Sequence, residues 1–219
     1  MNHSPQHSEP ARPAAGLARG TRPAAQRPLA SLPALLLCAP LAACLGSSPA
    51  VVLHTLRPTA SPAALTASPS PALEVMPVRV SELLQRPQLV FVQGPDRLSL
   101  SEAHHWAGAL DKELQRVLVQ DLAALLGDGV VPYPEGPQVS AQLRLEVSVQ
   151  RLEGQLGGAL TLEATWALLR GDEAAALTRK RTRLEEPVQG AEPDALVAAH
   201  SRAVAALAGE IAAAVRAVK

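Results

Sequence analysis

The chain has 219 residues, 20 of them basic and 20 acidic, so its formal charge is zero. That balance argues against a nucleic-acid partner, which needs a basic surface. With only two cysteines, Cys38 and Cys44, it is not a disulfide-built fold.

The first 43 residues differ in composition from the rest. Residues 1–28 carry Arg12, Arg19, Arg22 and Arg27 against Glu9 alone, and an apolar segment over 29–43 follows and ends in small residues. A basic region, an apolar run and a small-residue end are the layout of a secretory signal. At 15 residues, with Pro33 and Pro40 inside it, the apolar run is too short and broken for a membrane-spanning helix, which needs ~20 residues. No later stretch reads as long and apolar enough to span either. The end of the run, Leu41-Ala42-Ala43-Cys44, resembles the lipobox of bacterial lipoproteins. What that resemblance implies is a diacylglycerol thioether on Cys44, cleavage before it with Leu41, Ala42 and Ala43 as the recognition residues, and acylation of the new amino group. Cys38 then leaves with residues 1–43. The other reading is an ordinary signal peptide whose cysteine is incidental. Leu45, where aspartate is the usual inner-membrane retention signal of such lipoproteins, implies sorting to the outer membrane.

The mature part, 44–219, has 176 residues with 16 basic and 19 acidic side chains, about −3 in net charge. It is long enough for one domain with a packed core. Residues 44–50 form a lipidated cysteine and short tether, reaching at most ~20 Å at ~3.5 Å per residue, and 51–219 form the folded domain. "VVLHTL" (51–56) is β-rich and predicts a first strand. The four prolines of 57–72, Pro58, Pro62, Pro69 and Pro71, predict an irregular loop. Alternating valines predict a strand over 74–80. "PQLVFV" (87–92), a Gly94-Pro95-Asp96-Arg97 turn and 98–106 predict a hairpin.

Over 110–126 the period becomes helical. Leu110, Leu114, Val117, Leu118, Leu122 and Leu125 recur at steps of three and four. Asp111 suits the N-terminal first turn, and Gly127 suits a C-cap. Asp121 interrupts the apolar stripe, so it needs a backbone or basic partner. A short strand is expected at 129–134. Three strands follow, 143–149, 160–168 and 177–184, each alternating apolar and polar residues with glycine turns between them. They predict an antiparallel meander with one buried face. A final helix, 194–218, follows Pro193 and buries Leu196, His200, Ala203, Leu207, Ile211 and Ala214. The fold class is therefore α+β, a mostly antiparallel sheet with two long helices packed on it, in a single domain.

The order of residues over 86–134 resembles the ABC-transport auxiliary lipoprotein family that includes the third subunit of the paraquat-inducible Pqi system (PqiC/YmbA-like). The carrying residues are Arg86-Pro87-Gln88, Trp106-Ala107, Leu110-Asp111, Arg116-Val117-Leu118, Leu122 and Val131-Pro132-Tyr133-Pro134. The segment 194–215 is similar to the family's terminal helix, and the lipobox followed by Ser48-Pro49 and a strand also fits. One departure is the first strand, where the family's tyrosines are replaced by a lone His54. The resemblance implies a non-enzymatic role without cofactor. It implies an outer-membrane-anchored periplasmic subunit that forms a homo-oligomeric ring at the end of a tunnel built by an MCE-domain (PqiB-like) partner with its integral membrane subunit, moving lipid between membranes and contributing to envelope integrity. The alternative from another class is a structural or assembly lipoprotein of an envelope or secretion complex without lipid cargo.

Candidate sites are few. His104 and His105 are adjacent on a strand and point to opposite faces, so they do not chelate a metal together. Trp106 and His200 read as core residues. No Gly-x-Ser-x-Gly elbow and no phosphate-cradling glycine loop is present. The one basic cluster, Arg179, Lys180, Arg181 and Arg183, puts three arginines on one strand face and Lys180 on the other. It is either a solvated face or a contact for anionic headgroups or an acidic partner.

Overall fold

The computed structural model describes residues 50–62, 71–136, 141–171, 173 and 175–218, all within one compact unit, Ser48–Lys219. In chain order its elements are β1 (Val52–His54), β2 (Leu73–Val75), β3 (Arg79–Val80), a 3-10 turn (Glu82–Gln85), β4 (Gln88–Gly94), β5 (Arg97–Trp106), α1 (Leu110–Leu126), β6 (Val130–Pro132), β7 (Leu143–Gly154), β8 (Ala159–Arg170), β9 (Ala176–Pro187) and α2 (Pro193–Ala217). The fold is α+β, as the hydrophobic periods predict.

The long ladders are antiparallel: β7 with β8, β8 with β9, and β4 with β5. Strand β7 is the spine. Along its second edge β2, β3 and β4 follow one another, each parallel to it, at Leu143–Leu145, at Ser148 and Val149, and at Gly154. Beyond them, β6 runs parallel to β2 and β1 parallel to β5. These parallel pairings are a feature that alternation does not reveal, because a buried face says nothing about the direction of the neighbouring strand. The single strand expected over 74–80 is two strands. Pro77 lacks a backbone N–H and interrupts the ladder between them, while Met76 N–H and Ser81 N–H still donate to Leu145 and Val149 carbonyls of β7, at 2.9 and 3.1 Å.

The inner face of the meander is apolar. Leu143, Leu145, Val147 and Val149 of β7 are buried, a bulge between Val149 and Arg151 resets the alternation, and Leu152 continues it. From β8 come Leu160, Leu162, Ala164, Trp166 and Leu168. Against this face lie the two helices. Helix α1 buries Leu110, Leu114, Val117, Leu118 and Leu122 as expected, but Leu126 takes the last core position while Leu125 is only partly buried, and Asp111 and Glu113 lie in its first turn. It ends at Gly127, whose φ of 94° is open to glycine and whose N–H donates to Ala123 O at 2.8 Å. Helix α2 starts with Pro193, where the absent N–H costs nothing. Near the other end Arg216 donates to Leu125 O, an otherwise unpaired terminal carbonyl of α1, at 2.6 Å. The helix rests close on the sheet at Gly154, where an added Cβ falls 2.8 Å from Leu196 Cδ1.

Contrary to the expectation that no later stretch is apolar enough to span a membrane, α2, a helix of 25 residues, holds an 18-residue window with a mean hydropathy of 1.2, and 56% of that window is buried inside the unit. Its two sides explain that composition: Leu196, Ala199, Ala203, Leu207 and Ile211 fill the core, and small alanines allow close approach to the sheet.

Candidate functional site

The basic cluster lies on β9, which among the described residues pairs only with β8 and so forms a sheet edge. Charged side chains on such an edge discourage pairing with another chain. Arg181 and Arg183 both reach Glu163 of β8, at 3.4 and 2.9 Å, and Arg183 also reaches Glu185 at 3.1 Å. Lys180 projects from the opposite face, with its Nζ 5.8 Å from the centre of the Trp166 ring. On that same face Thr182 accepts a hydrogen bond from Trp166 Nε1 at 3.0 Å and donates to Glu210 of α2 at 2.7 Å. The four basic residues are thus not one field. Arg179 stands apart, across Ala167 from Glu146 in the register of the three strands.

A second constellation was not evident from the sequence. Residues 54–60 leave β1 and run as an extended strap held by side chains of both helices. Ala107 N–H donates to His54 O at 2.7 Å. Glu113 accepts from Thr55 Oγ1 at 2.6 Å and from Leu56 N–H at 3.2 Å, while Arg116 donates to Leu56 O at 2.8 Å. Ser201 of α2 accepts from Arg57 N–H at 3.2 Å, and its carbonyl accepts from Thr59 Oγ1 at 3.3 Å. Asp121 accepts from Thr59 and Ala60 N–H, both at 2.9 Å. Leu56, 1% exposed, plugs the strap into the core. The stripe-breaking Asp121 therefore finds backbone partners for its Oδ1, while its Oδ2 is buried without a partner among the described residues. Its burial raises its pKa, opposed by the two backbone donors. Burial also acts to raise that of Glu113, but the hydrogen bonds and charge of Arg116 and the hydroxyl of Thr55 outweigh it and hold the group below its usual range.

The histidines divide between strap and core. His104 Nδ1 lies 2.9 Å from His54 Nε2, the two rings stacked at 5.1 Å, and His54 Nδ1 is 3.4 Å from Asp194 at the start of α2. Burial lowers the His54 pKa, Asp194 opposes that and His104 adds to it. The two nitrogens of His54 thus face different partners, so the arrangement is a chain rather than a chelate. Among the described residues no group of three or more His, Cys, Asp or Glu is placed to hold a metal. His105 points elsewhere, with its Nε2 buried and without a partner among the described residues. Trp106 and His200 meet edge-to-face at 5.3 Å in the core, where the sequence reading places both. Cys44 and the recognition residues Leu41, Ala42 and Ala43 lie outside the described residues.

Residues 54–212 match the model of the family described as the ABC-type transport auxiliary lipoprotein component. No curated protein matches the chain. Among solved structures, the chain is similar to that of a protein described as uncharacterized, at 23% identity and a TM-score of 0.62, covering 74% of this chain and 97% of the other. It is also similar to a Xanthomonas campestris protein of the DUF330 family, at 17% identity and a TM-score of 0.61, covering 73% and 92%. At such identities these likenesses show a shared fold.

Proposed function

Because the chain belongs to the ABC-type transport auxiliary lipoprotein family, we propose that it is the outer-membrane-anchored, periplasm-facing lipoprotein subunit of a Pqi-type intermembrane lipid transport system. In this reading residues 1–43 are a cleaved signal peptide, Cys44 carries the lipid, 44–50 are the tether and 51–219 are the working domain. One acyl chain holds a protein only marginally to a membrane, and two or three hold it stably. The partners are an MCE-domain tunnel protein and its integral membrane subunit, met by a ring of copies of this chain. A lipid crossing water needs such an enclosed path, since each exposed CH₂ costs ~0.8 kcal/mol.

The observation that carries the reading is the family match, which spans β1's His54 through to α2's Ala212. The strap suits a tethered subunit. Load entering at residue 50 passes to β1 and then to Glu113, Arg116, Asp121 and Ser201, which spread it over both helices. The family is one of transport auxiliaries rather than enzymes, and no reaction is assigned to the chain.

The test is cross-linking in the native host, followed by purification of the full chain in mild detergent and identification of what is attached. The expected result is an MCE-domain protein together with its integral membrane subunit. Recovery of a secretion or scaffold complex instead would establish the assembly role without lipid cargo, and recovery of the chain alone would contradict both.

A further inference from the structure

On the outer face of the sheet, away from the helices, lies an open groove of about 190 Å³ between β3 and β9. Its floor is made of Ser148, Thr165 and Ala167, small residues of β7 and β8. Arg79 of β3 borders one side and Arg179 of β9 the other, three strand spacings across the sheet and two residues out of register, so about 16 Å apart at Cα. Glu146 is the one carboxylate, 3.5 Å from Arg79. Arg179 makes no ion pair among the described residues, unlike its neighbours Arg181 and Arg183, which Glu163 occupies. Neither the Ser148 nor the Thr165 hydroxyl is engaged by another side chain among the described residues. The groove therefore carries a surplus of one positive charge and two free hydroxyl donors, over a floor that leaves room above the backbone.

We infer that this groove is a binding site for a phosphate group, held between Arg79 and Arg179 and seated on the hydroxyls of Ser148 and Thr165. Guanidinium forks suit carboxylate and phosphate alike. Donors arriving from four neighbouring strands favour the tetrahedral acceptor, whose oxygens point in several directions at once, over a planar carboxylate with two. The size agrees with a headgroup rather than a whole small molecule, because pockets for drug-sized ligands run about 300–1,000 Å³. The two arginines outweigh Glu146, which remains able to receive a cationic group attached to the phosphate. The site stands on the geometry of the outer sheet face and is independent of lipidation at Cys44.

The probes are inorganic phosphate and dihexanoyl-phosphatidylglycerol below its micelle concentration, titrated calorimetrically into the protein made from its full sequence and purified in nonionic detergent. Saturable binding is expected, weakened about ten-fold or more by Arg79→Gln and by Arg179→Gln, the loss expected for one charge-assisted contact. Arg183→Gln, which removes the same charge from the same face, should leave it unchanged. Tighter binding of the phospholipid than of inorganic phosphate identifies a headgroup site, and the reverse identifies a site for free phosphate. Equal weakening by all three substitutions, which means diffuse surface charge, overturns the inference. So does the absence of saturable binding to either probe.

Discussion

His200 is buried on α2 with its Nδ1 2.8 Å from the Leu196 carbonyl, and a second carbonyl, that of Leu152, also faces the ring. Burial pushes its pKa down to about 4, against the pull of both carbonyls. In the unfolded chain the group titrates near 6.5. Between pH 6.5 and 4 the unfolded state thus binds the extra proton, and stability falls as the solution is acidified across that window. The full loss is about 3 kcal/mol, at 1.36 kcal/mol for each pH unit of difference. Urea unfolding of the wild type should show this decline, and His200→Gln should flatten it. An unchanged slope in the variant would place the acid sensitivity in another group. The apolar stripe made His200 legible as a core residue, since it recurs in step with Leu196, Ala203 and Leu207. Its carbonyl partner on β7 was not legible, because that contact joins residues 48 positions apart.

At the scale of elements, the strap connects sequence and structure least directly. Glu113 and Arg116 form an i, i+3 ion pair on α1, at 2.6 Å. In the fold both turn to the Thr55 hydroxyl and the Leu56 backbone, more than 50 residues earlier. Only Asp121 announced itself, by standing where a leucine was due. Replacing it with alanine removes the acceptor of two part-buried hydrogen bonds, from the N–H groups of Thr59 and Ala60, at a cost of about 1 kcal/mol for each. Hydrogen exchange should show residues 59 and 60 losing protection in Asp121→Ala, with much of it restored in Asp121→Asn, which keeps an acceptor oxygen. Equal protection in the wild type and the alanine variant would mean that Asp121 does not hold the strap. The pH dependence has the opposite sign to that of His200. Because the folded Asp121 pKa is raised, its contribution to stability is greatest below its ordinary pKa and is lost as pH rises through the folded value. The helices and the meander were legible because their periods of 3.6 and 2 are local. The short parallel strands β2, β3 and β6 were less so, since two or three residues carry no period and their direction is set by the chain's path along β7.

At the largest scale, one sheet and two helices among the described residues enclose an apolar core, and the outer sheet face is left to charged pairs. Arg79 with Glu146, Arg144 with Glu74, Arg151 with Glu153, and Arg181 and Arg183 with Glu163 cover that face. Alternation along β7, β8 and β9 foretold a polar face but not which charges would meet, since the pairs depend on strand register. The three arginines that the sequence puts on one face of β9 have separate neighbours in the fold, and Arg179 alone of them borders the groove. The proposed function adds a membrane to this picture through one residue, Cys44. Intact-mass measurement of the protein recovered from its native membranes tests that claim most directly. The account predicts a chain of residues 44–219 carrying a diacylglyceryl group and a further acyl chain at its first residue. An unmodified mass, or a chain that retains residues upstream of Cys44, would contradict it.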